Sequence, residues 1–377
     1  MACTVSRVVA ATLPAYVSST YRTRRPVRRR PLDTRVAAVA VSDDTALLKR
    51  MFQFVPFGES SPAWPSLSCD GKVPGTTMDL THWTNNETPD SIYADTSTEI
   101  ALNFAHARAV QSAWREHDDA VVVNNHYDAD GVLSVYACVN PKHALTHRAL
   151  MIAAAEAGDF GEWSSDDGVK LELAIGALED DSLEDAGYAA ALEMAPSLLE
   201  DINAHEHLWR DDWNRVQASW DMIRGGVATV EVIKVGDDAG HTVAVVTQPI
   251  GSSRIDARAL HRELRDTHRA CGMSGDDAAL RVLRATMDDD KRFTYEWEKP
   301  GYGWVGRLKD RKPAGEVDAE KLAEKMNLFL QSAFKAGTWE TGGDGGLVSI
   351  CKSDTWTKTT PGVVARTLSE IELALRE

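Results

Sequence analysis

Ala120-Val121-Val122-Val123-Asn124-Asn125-His126-Tyr127-Asp128-Ala129-Asp130-Gly131 is the stretch on which the fold turns. The opening apolar run is too short for a helix and reads as a buried strand. A second apolar run, Val132 to Val139, has no turn residue before Asn140-Pro141 and reads as a buried helix. One histidine and two aspartates therefore sit on a tight turn at the carboxyl end of a strand, where open α/β sheets bind their ligands. Gly131 is expected to let the backbone turn sharply there. Two carboxylates about 5 Å apart at an effective dielectric near 20 repel by roughly 3 kcal/mol. A divalent cation is the simplest relief, and a structural Asp-Gly turn is the plainer alternative. An EF-hand loop does not fit, because its fifth ligand position would fall on Val132.

His126-Tyr127-Asp128-Ala129-Asp130-Gly131, with Ser134 following, resembles the first motif of the DHH phosphoesterase superfamily. The resemblance implies a Rossmann-like domain holding two divalent cations, Mn²⁺ or Mg²⁺, and hydrolysis of phosphodiester or pyrophosphate bonds. It implies His126, Asp128 and Asp130 as metal ligands. Asp159, in Ala157-Gly158-Asp159-Phe160-Gly161, resembles the Gly-Asp of a later motif and is expected to join them. No Asp-His-His triplet occurs; the nearest string is Asp79-Leu80-Thr81-His82, which precedes the turn instead of following it. Gly342 to Gly346 lacks the histidine that the accessory domain of those enzymes uses. A second resemblance covers more of the chain. Thr81 to Pro89, Ala94 to Leu102 and the segment around Asp159 look like parts of a bacterial and algal family without assigned function, which implies no activity.

Asp79, His82 and Asn85 lie in a loop thick with Thr, Asn and Pro, the composition of a site more than of a core. Asp79 is expected as a further metal ligand, His82 and Asp95 as catalytic groups. Asn85, with Asn124 and Asn125 beside the turn, is expected to bind substrate. Asp95 stands just outside a helix start, with Thr96 as N-cap and Glu99 completing a capping box. A helix from Pro141 through Ala157, ended by Gly158, would then deliver Asp159 at its exit.

The other candidates fail on geometry or composition. His205-Glu206-His207 places its histidines on different helix faces. His143 and His147 fit a polar helix face, and His261 and His268 a solvent-exposed one. The five cysteines, Cys3, Cys69, Cys138, Cys271 and Cys351, form no CxxC pair. The acid-rich run 164–185 reads as a solvated boundary.

The first 42 residues hold eight Arg, no Lys and one acid, the composition of an organelle transit peptide, for a chloroplast or alternatively a mitochondrion. They contribute +7 to a net charge of −16, which leaves the remainder at −23. So acidic a body repels duplex nucleic acid and anionic membranes. No apolar run reaches the roughly 18 residues of a membrane span. The domain plan is thus a transit peptide over 1–42, a Rossmann-like α/β domain over 43–185 and a helical and α+β domain over 186–377. In the second half, 228–235 and 241–248 read as a hairpin burying Val230, Val232, Val243 and Val245 on one face. Trp209, Trp213 and Trp220 form a core stripe on a helix. The function implied is hydrolysis of a small phosphorylated substrate; the alternative is a non-catalytic organelle protein that keeps the turn as a structural or ligand-binding element.

Overall fold

The computed structural model describes residues 52–56, 64–179, 184–236, 241–271, 279–333 and 338–376. The Arg-rich segment and Gly272 fall outside them. The described residues belong to one compact unit, Ala46–Glu377, built on two sheets. The protein is a mixed α/β structure.

The first sheet has four short parallel strands: β1 (Gln53–Pro56), β2 (Ser66–Cys69), β3 (Met78–Leu80) and β4 (Val121–Asn124), in the order β1-β4-β2-β3. The valine run is an interior strand, with Val122 opposite Phe54 on one side and Leu67 on the other. Its continuous apolar character follows, since interior parallel strands are covered on both faces. Val122, Leu67 and Leu80 share a core with Ile100 and Phe104 of helix α1 (Ser97–Val110) and Leu133 of α2 (Ala129–Val139). Val121 and Val123 pack with Val73 in a separate small cluster. Pro56 is tolerated because β1 is an edge strand.

β2 and β3 are parallel neighbours joined by residues 70–77 alone, shorter than the dozen residues a crossover ordinarily needs. The link is held by hydrogen bonds to β2. Thr77 N–H and Thr77 Oγ1 donate to the Ser66 carbonyl at 2.8 Å each, and Ser68 Oγ accepts from Val73 N–H at 3.0 Å.

The helix expected from Pro141 to Ala157 is two, α3 (Pro141–Thr146) and α4 (Arg148–Asp159), broken at His147. α4 runs through Gly158 and carries Asp159 in its last turn. The stop is Gly161, whose φ of +60° suits glycine. Helices α5 (Asp166–Gly176), α6 (Glu184–Glu200) and α7 (Glu206–Arg224) complete this half. Trp209 is buried on α7, and Trp213 and Trp220 pack on Trp163.

The second sheet is mixed, in the order β5-β6-β7-β8-β10-β9. Its strands are β5 (Thr229–Val235), β6 (His241–Pro249), β7 (Ala279–Met287), β8 (Phe293–Glu298), β9 (Glu340–Thr341) and β10 (Ser349–Thr357). Helix α8 (Ala257–Cys271) connects the parallel pair β6 and β7; α9 (Ala319–Ala333) and α10 (Pro361–Ala374) cover one face. The β5–β6 hairpin forms, yet the four valines do not share a face. Val230 pairs with Val246 and Val232 with Ala244, and these pack toward α8. Val243 and Val245 point the other way, toward α9 and α10. With helices on both sides, this sheet lacks the single buried face that simple alternation implies. No helix among the described residues is long and apolar enough to cross a membrane.

Candidate metal centre

The carboxyl ends of β2, β3 and β4 converge with the last turn of α4. β2 delivers Asp70, the residue after β3 and Thr81 is His82, β4 leads into His126, Asp128 and Asp130, and α4 ends on Asp159. Among the described residues these six form two groups able to hold a metal ion: Asp70, His82, Asp130 and Asp159, and Asp70, His126 and Asp128. Asp70 belongs to both. Its Oδ1 lies 3.5 Å from His82 Nε2, and its Oδ2 lies 2.8 Å from His126 Nε2. His82 Nε2 is also 3.0 Å from Asp159 Oδ2 and 3.5 Å from Asp130 Oδ2. His126 Nε2 is 3.3 Å from Asp128 Oδ2.

Both imidazoles are oriented from behind. His82 Nδ1 lies 2.6 Å from the Asp95 carbonyl, which can only accept, so Nδ1 carries a proton and Nε2 is turned to the carboxylates. His126 Nδ1 sits 3.0 Å from Asn125 Oδ1, and Asn125 Nδ2 donates to the Lys72 carbonyl, which fixes the end of the amide facing the ring. The atoms turned inward face only the other members of the cluster: both Asp70 oxygens, His82 Nε2 and His126 Nε2 are buried and lack a well-aligned hydrogen bond. Such atoms are costly in a folded interior.

Backbone geometry holds the carboxylates together. Asp70 adopts φ +59°, the left-handed region that aspartate tolerates better than most residues. Its N–H donates to the Leu80 carbonyl at 3.1 Å, and Thr81 Oγ1 donates to its carbonyl. A Cβ on Gly71 would lie 1.9 Å from Asn125 Oδ1, so only glycine admits this approach. Gly131 serves closeness in the same way, not the sharp turn expected of it, for a Cβ there would meet Asn124 Nδ2 at 2.6 Å and Tyr188 Oη at 2.9 Å. Asp128 caps α2, its Oδ1 accepting from Gly131 N–H at 2.7 Å while Oδ2 faces His126. Asp130 accepts from Ser97 N–H at 2.8 Å and Thr98 N–H at 2.7 Å, the first turn of α1. Thr96 caps α1 as expected, but Glu99 turns to Arg148 and leaves the box half-formed.

The electrostatics are those of a site short of positive charge. Burial works against charging His82, yet Asp159, Asp130 and Asp70 together hold its pKa up to about 10. The same contest at His126, with Asp128 and Asp70, lifts it to about 11. Burial and the charge on Asp70 push Asp130 up to about 6, and burial with Asp130 and Asp128 raises Asp159 well above the carboxylate range. Asp159 also sits at the negative end of α4, where a carboxylate is disfavoured without a cation nearby.

The two groups differ in access. His82, Asp70 and Asp130 are sealed, whereas the His126 and Asp128 side chains are 29% and 39% exposed. Trp304, from the segment after β8, closes the sealed side, 4.9 Å edge-on to His82, and Trp83 stands 5.5 Å from the His126 ring. Beside it, Lys72 bonds the Asn85 carbonyl.

Of the residues expected from sequence, His82, His126, Asp128, Asp130 and Asp159 come together. His82 arrives as a potential ligand rather than in the catalytic role expected of it. Asp79 is turned away, accepting from Glu87 N–H at 2.8 Å and pairing with Lys72 at 3.4 Å. Asp95 offers only its carbonyl; its carboxylate faces Lys309, Asp310 and Arg311. Asn124 is fully buried and turned to its own chain, accepting from Gly71 and Asn125 N–H and donating to Tyr188 Oη at 2.6 Å. Asn125 backs His126, and Asn85 is exposed with φ +61°. His261 is half-buried, not solvent-exposed, and accepts from Trp163 N–H. Gly345 N–H donates to Glu296, so that loop already holds a carboxylate of its own chain.

Asp70 is the residue sequence reading missed. Ser66-Leu67-Ser68-Cys69 is too short and too polar to stand out as a strand among the prolines, serines and glycines of 61–75. Asp70-Gly71 directly after it, an acid at a strand end with a glycine to admit neighbours, was the available signal.

Comparison with curated proteins finds no match. The family described as "Family of unknown function (DUF6687)" matches residues 50–361, which span both sheets and all six cluster residues, and the chain belongs to that family.

Proposed function

We propose that the protein is a divalent-metal-dependent hydrolase of a small phosphorylated substrate, working with two Mn²⁺ or Mg²⁺ ions in a Rossmann-like, DHH-like arrangement. The observation that carries this reading is Asp70, whose two buried oxygens each face a different histidine. The donor set fits. Asp70, Asp128, Asp130 and Asp159 supply four negative charges to balance two divalent cations, and carboxylate oxygen with imidazole nitrogen suits Mn²⁺. Bound there, the ions would lower the pKa of a water and polarise a phosphoryl oxygen.

The chain's own groups divide the remaining work. The Asp95 carbonyl and the Asn125 amide orient His82 and His126, whose Nε2 atoms would give up their protons to bind metal as neutral donors. Asp130 ties the cluster to the positive end of α1, which offsets part of its charge. Trp304 and Phe160 keep water from the His82 side. A phosphate would approach on the open side, past His126 and Asp128, where Lys72, Asn125 and Asn85 form the rim. Lys72 matters because the body is otherwise strongly acidic. The Arg-rich leader supports import into a chloroplast, with the mitochondrion as alternative.

The test is a melt of the full chain with Mn²⁺ or chelator, beside hydrolysis of bis-p-nitrophenyl phosphate. Mn²⁺ should raise the melting temperature and support hydrolysis that inorganic phosphate inhibits. A melt unchanged by millimolar Mn²⁺ and by chelator would sink the metal reading and the hydrolase with it.

A further inference from the structure

Arg311 lies far from the cluster in sequence, in the segment that follows β8, yet it ties Asp95, whose carbonyl backs His82, to the residues on either side of Asp159. Its Nη1 donates to Asp95 Oδ2 at 2.9 Å. Its Nε and Nη2 donate to the two oxygens of Glu162 at 2.9 and 2.8 Å, and Nη2 also reaches Glu156 Oε1 at 2.7 Å. The guanidinium lies over the Phe160 ring, 4.8 Å from its centre. Each contact leads one step inward. Asp95 is the residue whose carbonyl accepts from His82 Nδ1. Glu156 and Glu162 bracket the turn that presents Asp159, and Phe160 within that turn contacts the His82 ring at 5.9 Å.

The geometry points to Arg311 as the positioning residue of the sealed metal position: it fixes the acceptor behind His82 and the α4 exit carrying Asp159, and leaves the His126 position alone. The inference rests on the two-metal reading above. A planar five-donor fork suits this task, because it can hold three carboxylates in fixed directions where an ammonium acts as a point charge. Lys309 and Asp310 assist through backbone N–H groups that donate to Asp95. Among the described residues nothing comparable reaches His126 or Asp128, whose orientation comes from Asn125 and from the cap of α2.

A position-specific effect separates this role from general stabilisation. The experiment is a Mn²⁺ titration of the full chain by calorimetry, with electron paramagnetic resonance to read spin coupling, on wild type, Arg311→Ala, Asp128→Asn and the double variant. Wild type should bind two coupled ions. Arg311→Ala and Asp128→Asn should each bind one uncoupled ion, and the double variant none, since different positions are lost. If Arg311→Ala does not fold, Arg311→Lys should keep the open-position affinity and weaken the sealed one at least tenfold. Two ions bound by Arg311→Ala with wild-type affinity would overturn the positioning role while leaving the two-metal reading intact. One ion still bound by the double variant would overturn it as well. Wild type binding no ion would instead bring down the two-metal reading, and this role with it.

Discussion

The sealed and open halves of the cluster are built from the same chemistry, one imidazole and carboxylates around a shared Asp70, yet the chain anchors them by different means. In the sealed half the histidine is oriented by a backbone carbonyl, Asp130 is pinned by two N–H groups of α1, and Arg311 braces the surroundings. In the open half the corresponding partners are an exposed asparagine side chain and a capping aspartate with one oxygen to spare. Backbone partners leave a ligand little freedom, whereas an exposed amide yields to solvent. On the proposed two-metal reading, the sealed position would be preorganised for an ion that stays, and the open one for an ion that exchanges and meets substrate.

Asp70→Asn should have the largest effect, because it breaks both halves at once. Stoichiometry should fall from two Mn²⁺ to none, and the stabilisation metal gives should vanish, about 2.7 kcal/mol per site at a hundredfold excess over Kd. Two ions retained by the variant would mean that the halves are independent and Asp70 is not shared.

Next in size is the dependence on pH. With chelator present, protons stand in for the missing cations. His82 and His126 have folded pKa values of about 10 and about 11, above the ordinary value near 6.5. Their contribution is therefore complete below about pH 6.5 and is lost as pH rises toward 10 or 11. Asp130, raised to about 6, adds a fall in the same direction at lower pH. With saturating Mn²⁺ the trend should reverse across this window, since binding displaces those protons. Added salt should flatten the His126 share more than the His82 share, because only the open half is screened. Melting temperature against pH, with chelator and with Mn²⁺ at low and high salt, measures all three; a metal-free stability that climbs from pH 7 to 9 would contradict the proton-filled cluster.

The same contrast marks what the sequence could reveal. The β4 turn was legible because its signal is local: an apolar strand, three potential ligands within five residues and a glycine to admit neighbours. β4 falls where that pattern places it, and α2 begins three residues early, at Ala129, so that Asp130 and Gly131 lie in its first turn. His82 and Asp159 were suggested by composition and by resemblance, and their convergence depends on a parallel sheet that no single segment encodes. Asp70 escaped because its strand is four residues long and half serine. Asp79 and Asp95 were over-read, since an acid in a polar loop looks the same whether it faces a cation or the chain's own N–H groups. Arg311 was beyond sequence reading, its partners lying some 150 to 216 residues away. Val230 and Val232 misled for a related reason: alternation reveals two faces of a strand, but not that both are covered.

The smallest expected effect tests the comparison where the halves differ by one hydrogen bond. Asn125→Ala removes the acceptor behind His126 Nδ1, so the imidazole can rotate or take the other tautomer, which places a proton on the nitrogen that must bind metal. Loss of such a supporting partner costs about 10- to 100-fold in metal affinity. That loss should appear in the weaker, open-position step of a Mn²⁺ titration and leave the tighter step unmoved. Asn125→Asp keeps an acceptor at the same reach and adds charge, so it should restore the weaker step or tighten it. The melting temperature in chelator should change little in either variant, because Asn125 is exposed and caps nothing. If Asn125→Ala weakens both steps equally, the amide acts through the Gly71 approach, where its Oδ1 already crowds the backbone that presents Asp70. The two positions would then be coupled through that shared backbone, and the division into a resident and an exchanging ion would fail.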